Sequence, residues 1–391
     1  AVTGTNGKTT TARMIAHIFR GMGRKVGMTS TDGVVIDDRL VIRADASGPR
    51  SARMVLQNPR VDFAVFEVAR GGILREGLGY QRNDVAVVLN VAPDHLGLRG
   101  IDSVEQLAKV KQVIVEAVPK SGDAVLNADD DLVVGMRRVC SGEITWFSLR
   151  PRNRMIEDHC RRGGKAVVLE PGELGDLIVL VHGRRRMPLA YTHLLPATFG
   201  GKALFNVQNA MAAAAAAYCS GAHLHDIRAG LRSFTPSYYQ APGRMNMIEV
   251  QGVKVIVDYC HNAPAMVALG DFVDRFFDDA SGLERPQRIG VVATAGDRRD
   301  QDMIDLGAEA GRHFDRIVVR EDDRLRGRQP GETAELIAQG VRRAQADGGR
   351  VRALDVVLDE ISSTRAAVSL ANPGGLVVLC VDRARAVWDE L

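Results

Sequence analysis

No apolar run in the sequence is long enough to cross a bilayer as a helix, and the alanine string at 212–217 reads instead as the interior of a packed helix. Cysteine is scarce: Cys140, Cys160, Cys219, Cys260 and Cys380 are odd in number, scattered and never spaced Cys-x-x-Cys, which argues against a disulfide framework and against a structural zinc site. Neither sign of charge dominates. The 51 Lys and Arg stand against 48 Asp and Glu, and a net charge of +3 spread along the chain is too small to hold nucleic acid. The one basic cluster, Arg184-Arg185-Arg186, reads as the tip of an exposed hairpin. No secretory signal pattern is read. These absences lead to the expectation of a cytoplasmic protein that engages neither nucleic acid nor a membrane.

What is present is the composition of an ordinary globular protein, 46% hydrophobic and 25% charged over 391 residues, enough for two domains with real cores. Near the start stands Gly4-Thr5-Asn6-Gly7-Lys8-Thr9-Thr10. Two glycines free the backbone to wrap its N–H groups around phosphate oxygens, a lysine neutralises them, and a hydroxyl can ligate Mg²⁺. The chain is therefore expected to bind ATP with Mg²⁺. Only Ala1 and Val2 precede Thr3, so most of the strand that would carry this loop is expected to lie outside the chain, within a larger protein.

Apolar strands then alternate with helical stretches, the pattern of a parallel α/β sheet. Residues 61–66 and 85–89 read as central strands, and 140–200, with its glycine and proline punctuation, as a small β insertion. An alanine-rich helix over 206–218 leads to a connection at 234–243. A second α/β cycle follows, with strands near 253–258, 288–294, 316–320 and 375–381. The domains are placed at 1–235 and 236–391.

In an open parallel sheet, ligands sit beyond the carboxyl ends of the strands. Glu67 ends the 61–66 strand and can bridge Mg²⁺ near the phosphate loop. His95, in Asn90-Val91-Ala92-Pro93-Asp94-His95, is brought to the same edge by the 85–89 strand. The helix over 104–118 is the most informative. At 100° per residue, Leu107, Ala108, Val110, Ile114, Val115 and Val118 share an apolar face, and Lys111 falls in the middle of it, whereas Lys109 faces solvent. A buried lysine must be paired, snorkel out or lose its charge. A neutral amine can also capture CO₂ as a carbamate, an anion able to ligate a metal.

These features, with Asn206-Val207-Gln208-Asn209, Pro242-Gly243-Arg244 and Asp258-Tyr259-Cys260-His261, occur in the order found in the Mur ligase superfamily. Ser30-Thr31-Asp32-Gly33, the stretch from Ala69 to Leu78, Gly296-Asp297-Arg298-Arg299-Asp300 and the stretch from Glu321 to Arg328 resemble the C-terminal half of its cyanophycin synthetase family. The resemblance implies a central ATPase domain with a parallel sheet and a C-terminal Rossmann-like α/β domain. It implies an amide ligase working through an acyl phosphate, with an N-terminal domain and an ATP-grasp module preceding it in the whole protein.

Carried over, Gly4, Thr5, Asn6, Gly7, Lys8, Thr9 and Thr10 would cradle the phosphates. Thr9 and Glu67 would hold one Mg²⁺, and Glu67, His95 and carbamylated Lys111 a second. Asn209 would contact adenine, Asp258 and His261 the ribose side, and Arg244 the γ-phosphate. Asp322 and Asp323 would grip the guanidinium of an incoming arginine, with Asp297 and Arg326 nearby. Asp32, Arg70 and Arg75 would hold an acidic polypeptide primer. Homo-oligomerisation is a further expectation for a polymer-extending enzyme. Two departures from the superfamily pattern fall near the nucleotide: Ala263 separates His261-Asn262 from Pro264, and Phe205 precedes Asn206 where histidine is common. Another Mur-type amino-acid ligase, of folylpolyglutamate or muropeptide type, and a non-catalytic ATP-binding regulatory module remain alternatives.

Overall fold

A computed structural model describes residues 1–277 and 286–391. The chain divides into two compact units, Ala1–Ala92 with Ile101–Phe234, and Pro93–Gly100 with Thr235–Leu391.

In the first unit the strands are β1 (Val2–Thr3), β2 (Val26–Ser30), β3 (Gly33–Ile36), β4 (Arg39–Ile42), β5 (Phe63–Phe66), β6 (Val85–Val88), β7 (Asp123–Asn127), β8 (Glu143–Ser148), β9 (Lys165–Gly172), β10 (Gly175–His182) and β11 (Arg185–Tyr191). The helices are α1 (Lys8–Gly21), α2 (Pro49–Leu56), α3 (Arg70–Glu76), α4 (Val104–Glu116), α5 (Asp131–Gly135), α6 (Arg154–Arg161), α7 (Leu204–Cys219) and α8 (Leu224–Ser233). One sheet runs β1-β6-β7-β8-β9-β10-β11 and a second β4-β3-β2-β5.

The strand expected at 85–89 is central. β6 pairs in parallel with both β1 and β7, and all four of its residues are buried, as a run of valines and alanine suits a strand covered on both faces. The strand expected at 61–66 is not. β5 lies at the edge of the four-stranded sheet, paired with β2, and reaches β1 through a single bridge between Glu67 and Val2. Nor do residues 140–200 stand apart. β8 and β9 join β7 in parallel, and β10 and β11 extend the same sheet antiparallel. α7 lies across β6, β7, β8 and β9, and its alanines are almost wholly buried. Methyl-sized side chains let that helix approach the sheet closely, so the Val and Phe faces of β8 and β9 gain a cover.

α4 begins where a capping box dictates. The Ser103 hydroxyl accepts the Gln106 N–H, and the Gln106 side chain accepts from the Ser103 backbone.

The second unit holds β12 (Asn246–Val250), β13 (Val253–Asp258), β14 (Arg288–Val292), β15 (Arg316–Val319), β16 (Ala353–Val356) and β17 (Leu376–Cys380). Its helices are α9 (Ala263–Phe277), α10 (Asp300–His313), α11 (Glu332–Ala346), α12 (Glu360–Leu370) and α13 (Ala384–Glu390). The sheet order is β12-β13-β17-β14-β15-β16, parallel except for β12. Val255, Val257, Ile289, Val291, Val318, Val377 and Leu379 form its core, and the chain leaves the carboxyl ends of β13, β14, β15 and β17 into polar loops. Among the described residues no helix is long and apolar enough to cross a membrane.

Candidate active site

In the first unit the chain turns from β1 through Gly4-Thr5-Asn6-Gly7 into α1. Gly7 sits at φ 86°, and a Cβ there would run into the Asn209 amide, so only glycine fits. No acidic residue occupies the first turn of α1, which leaves the positive end of the helix dipole uncompensated, as suits phosphate binding. Asn90, just past β6, fixes the loop. Its Oδ1 accepts the Thr5 and Asn6 N–H groups at 3.0 and 2.9 Å, and its Nδ2 donates to the Asn6 carbonyl. The Thr5 hydroxyl is tied to Ala92, and Lys8 Nζ donates to the Thr5 carbonyl at 2.9 Å.

Behind the loop, Thr9 Oγ1 donates to Glu67 Oε2 at 2.9 Å, and Glu67 is 1% exposed. Thr31 joins this pair: its hydroxyl lies 3.3 Å from that of Thr9 and its N–H donates to Glu67 at 3.2 Å. The sequence contained Thr31 in the Ser30-Thr31-Asp32-Gly33 motif, yet its place came only with the end of β2. A carboxylate with two hydroxyls is a hard oxygen set that suits Mg²⁺ or Mn²⁺. Among the described residues no three His, Cys, Asp or Glu side chains gather around a common point.

Lys111 is buried, 4% exposed, as the α4 periodicity requires, and Nζ donates to the Gly4 carbonyl at 2.8 Å; Lys109 is exposed. Asn209 is buried in a chain of amides, its Nδ2 donating to Asn206 Oδ1 and its Oδ1 accepting from Thr11. Asp32 pairs with Arg13 at 2.8 Å. Arg70 opens α3, while Arg75 donates to the Gly71 carbonyl and Glu76 pairs with Arg50.

The second unit gathers a separate set. Asp258, at the end of β13, accepts the Met245 N–H at 2.9 Å; burial pushes its carboxyl up, and the Arg244 guanidinium partly offsets this. Arg244 lies over the Tyr259 ring, 4.3 Å from its centroid. His261 Nδ1 lies 2.7 Å from the Tyr259 carbonyl, which can only accept, so Nδ1 carries the proton. His95 belongs to this unit through the 93–100 segment, whereas Thr9, Glu67 and Lys111 belong to the first. Its Nε2 lies 2.9 Å from the NH2 of Arg298.

Arg298, 6% exposed, also faces Asp94 at 3.2 Å and Asp297 at 2.6 Å. Burial by itself would raise the Asp94 carboxyl, but His261 and His95, when protonated, and the Arg298 guanidinium outweigh it and hold the group well below the usual range. Asp297 also meets Arg326, and it too is held low. Asp94, His261, Asn262, Thr294 and Arg298 border a cleft of about 630 Å³.

In the 321–328 loop Glu321 is committed to the fold, accepting the Gly331 N–H and the Thr333 hydroxyl at the start of α11. Asp322 is buried and accepts the Arg324 N–H; Asp323 is exposed and faces Arg383 at 3.4 Å. Before this loop stands Arg320, fully buried against Glu360, Asp382 and the Cys380 carbonyl, a network that no periodicity in the sequence announced.

A phosphate loop on one α/β unit, followed by a second α/β unit whose strand ends carry an arginine, an aspartate and a histidine, is a Mur ligase arrangement. Residues 2–217 match the Mur ligase middle domain and 243–381 the glutamate ligase domain of Mur ligases, and the chain belongs to that family. Within it, the chain is 47% identical over 97% of its length to cyanophycin synthetase of Synechocystis, of which it spans 42%. It is 27% identical to the UDP-N-acetylmuramoyl-L-alanyl-D-glutamate–2,6-diaminopimelate ligase of Geobacillus thermodenitrificans, covering 97% of this chain and 72% of that one. Among solved structures, the folylpolyglutamate synthase/dihydrofolate synthase of Yersinia pestis, complexed with AMPPNP and Mn, shares the fold with a TM-score of 0.69 at 17% identity, over 99% of this chain and 87% of that one.

Proposed function

We propose that this chain is the arginine-adding ligase portion of a cyanophycin-synthesising enzyme, using ATP to join the amine of arginine to an aspartate side-chain carboxylate of a growing polymer. The observation that carries the reading is the buried Thr9–Glu67 pair behind a phosphate loop whose Gly4 carbonyl is held by Lys111. Similarity to cyanophycin synthetases over 97% of the chain supports the substrate class, and the AMPPNP and Mn of the Yersinia pestis relative support a nucleotide and a divalent ion.

In the proposed reaction a carboxylate oxygen attacks the γ-phosphorus, forming an acyl phosphate and releasing ADP. The amine nitrogen then adds to the acyl carbon, and the tetrahedral intermediate expels phosphate and loses a proton, leaving the amide. The loop N–H groups and Lys8 bind the transferring phosphoryl group, and preorganisation rather than covalent participation supplies the acceleration. Thr9 and Glu67 would hold one Mg²⁺, and Glu67, His95 and a carbamylated Lys111 a second; such ions neutralise phosphate oxygens and orient the acceptor carboxylate. Arg244 serves the γ-phosphate, Asp258 and His261 the ribose side, and Asn209 the adenine side. The 321–328 loop with Asp297 and Arg326 serves the amine, and Asp32, Arg70 and Arg75 the acidic primer.

The test is ADP release by the full-length protein given Mg-ATP, a primer rich in aspartate and single amino acids. Arginine-dependent release with an amide product is expected. Release driven by another amine would replace the substrate, and nucleotide binding without amine-dependent turnover would overturn the ligase reading in favour of a regulatory module.

A further inference from the structure

We propose that the cleft between α9 and α10 is a product subsite for arginyl side chains already attached to the polymer; this deepens, and rests on, the reading of the chain as an arginine-adding ligase. Along α10, Asp302, Asp305, Glu309 and Arg312 recur at steps of three, four and three residues, so they share one face of the helix. Met303, Leu306, Gly307 and Ala310 turn the other way and are buried. The polar stripe forms one wall of the cleft of about 630 Å³ whose inner end is Asp94, His261 and Arg298. Facing it, Ala263, Pro264 and Val267 at the start of α9 supply an apolar wall.

One apolar wall and one carboxylate wall suit a side chain with a methylene stem and a cationic head, and a carboxylate can take a guanidinium through two parallel hydrogen bonds. The spacing suits more than one such group. The helical rise puts Asp305 about 4.5 Å beyond Asp302, and Glu309 about 6 Å beyond Asp305. Side chains on one side of an extended backbone recur about every 6.6 Å, so two arginyl groups of one polymer can meet successive carboxylates. Four carboxylates, of Asp94, Asp302, Asp305 and Glu309, border the cleft against three guanidiniums, of Arg298, Arg312 and Arg343, which leaves an excess of negative charge. Arg312 and Arg343 match the α-carboxylate that an arginine joined through its amine retains. The carboxylates already have partners, Asp302 in Arg299 at 2.7 Å, Asp305 in Arg343 at 3.0 Å and Glu309 in Arg312. All three of those arginines are exposed, and surface pairs of this kind exchange at little cost.

The cleft also begins beside the segment proposed to serve the amine. Arg298, at its inner end, donates to Asp297, which in turn meets Arg326, and the Arg298 carbonyl accepts from Arg328 at 2.8 Å. The 321–328 loop and the cleft are therefore neighbours within one unit. A newly added arginine leaves that loop along α10, its guanidinium passing from one carboxylate to the next as the polymer advances.

The test is equilibrium binding to the full-length protein without ATP, using fluorescent oligomers of equal length: poly-aspartate carrying arginine on every side chain, the same oligomer carrying citrulline, and bare poly-aspartate. Citrulline keeps the shape of arginine and removes its charge. The double variant Asp305→Asn, Glu309→Gln should bind the arginyl oligomer roughly tenfold more weakly than wild type, the scale of losing charge-assisted hydrogen bonds, and bare poly-aspartate as wild type does. Wild type should bind the citrulline oligomer as weakly as the variant binds the arginyl one, a comparison that needs no mutation. Unchanged binding of the arginyl oligomer in the variant overturns the subsite, and so does an equal loss for arginyl and bare oligomers. Free arginine should displace the arginyl oligomer only at far higher guanidinium concentration; displacement at equal concentration would make this a site for the free amino acid and overturn the polymer reading. ADP release from bare primer and arginine is read separately. Its absence sinks the ligase reading and the subsite with it, whereas release alongside oligomer binding that ignores the variant sinks the subsite alone.

Discussion

Lys111 is the residue whose environment was most legible in advance. One charged side chain in the apolar stripe of an amphipathic helix must find a partner, and it lies buried with Nζ on the Gly4 carbonyl. Under the proposed chemistry Lys111→Ala should lower amide formation at least about 100-fold, the scale of losing one preorganised charged group. AMPPNP affinity should change little, as isothermal titration calorimetry would show; full turnover without added short carboxylates would remove the carbamate role. At the amine side, Asp323→Ala is expected to raise the KM for arginine several-fold and leave that for ATP unchanged, because its exposed carboxylate holds no backbone group. Asp322 accepts the Arg324 N–H, so its loss should also disturb the loop. Equal effects of Asp323→Ala on both KM values, in steady-state kinetics, would count against the selector role. Thr31, Asn90 and Arg298 escaped the sequence because their roles depend on partners far along the chain: Asn90 meets a loop 84 residues away and Arg298 a histidine 203 residues away. No local pattern records such pairings.

Among the elements, α4 shows local and tertiary signals agreeing. Ser103 and Gln106 start it and the apolar stripe orients it. Ser103→Ala should cost about 1 kcal/mol, read as a lower melting temperature, with kcat nearly unchanged since the cap lies two turns from Lys111. A loss of activity without a loss of stability would show that the cap does more than start the helix. Strand identity was readable where valines and isoleucines cluster, but sheet membership was not. β5 has the composition of an interior strand and lies at an edge, and β8 to β11 look like a separate insertion yet prolong the main sheet. A strand's residues say how much of it is buried; which neighbour supplies the cover is decided by α7 packing over β6 to β9.

At the scale of the molecule, each unit carries its own core, and in the second the Arg320–Glu360–Asp382 network joins β15, the start of α12 and the end of β17. Burial alone would raise the Glu360 carboxyl, but Arg320 and Arg383 outweigh it and hold it below its ordinary 4.5. A depressed value means that the folded state favours the ionised form. The associated stability is complete above about pH 4.5 and is lost as pH falls through the folded value, because the unfolded chain then binds more protons. The stability difference between wild type and Glu360→Gln, from denaturant titrations, should therefore be constant from pH 5 to 7 and shrink at lower pH. A difference that held steady down to pH 3 would remove Glu360 from the acid response. Asp258, raised by burial, acts with the opposite sign and is untouched by this substitution.

The sequence by itself determined what short-range chemistry can encode: a glycine-flanked turn poised for phosphate, an alternation of strands and helices, and a lysine on the wrong face of a helix. Each is written within a few residues, where backbone freedom and periodicity act. Only the tertiary structure decided that Thr31 completes the Thr9–Glu67 pair, that Asn90 staples the phosphate loop, that Glu321 serves the fold while Asp323 stays exposed, and that Arg298 sits on His95. Those pairings follow from burial, which removes water from polar groups and obliges each to find a partner wherever the folded chain has brought one.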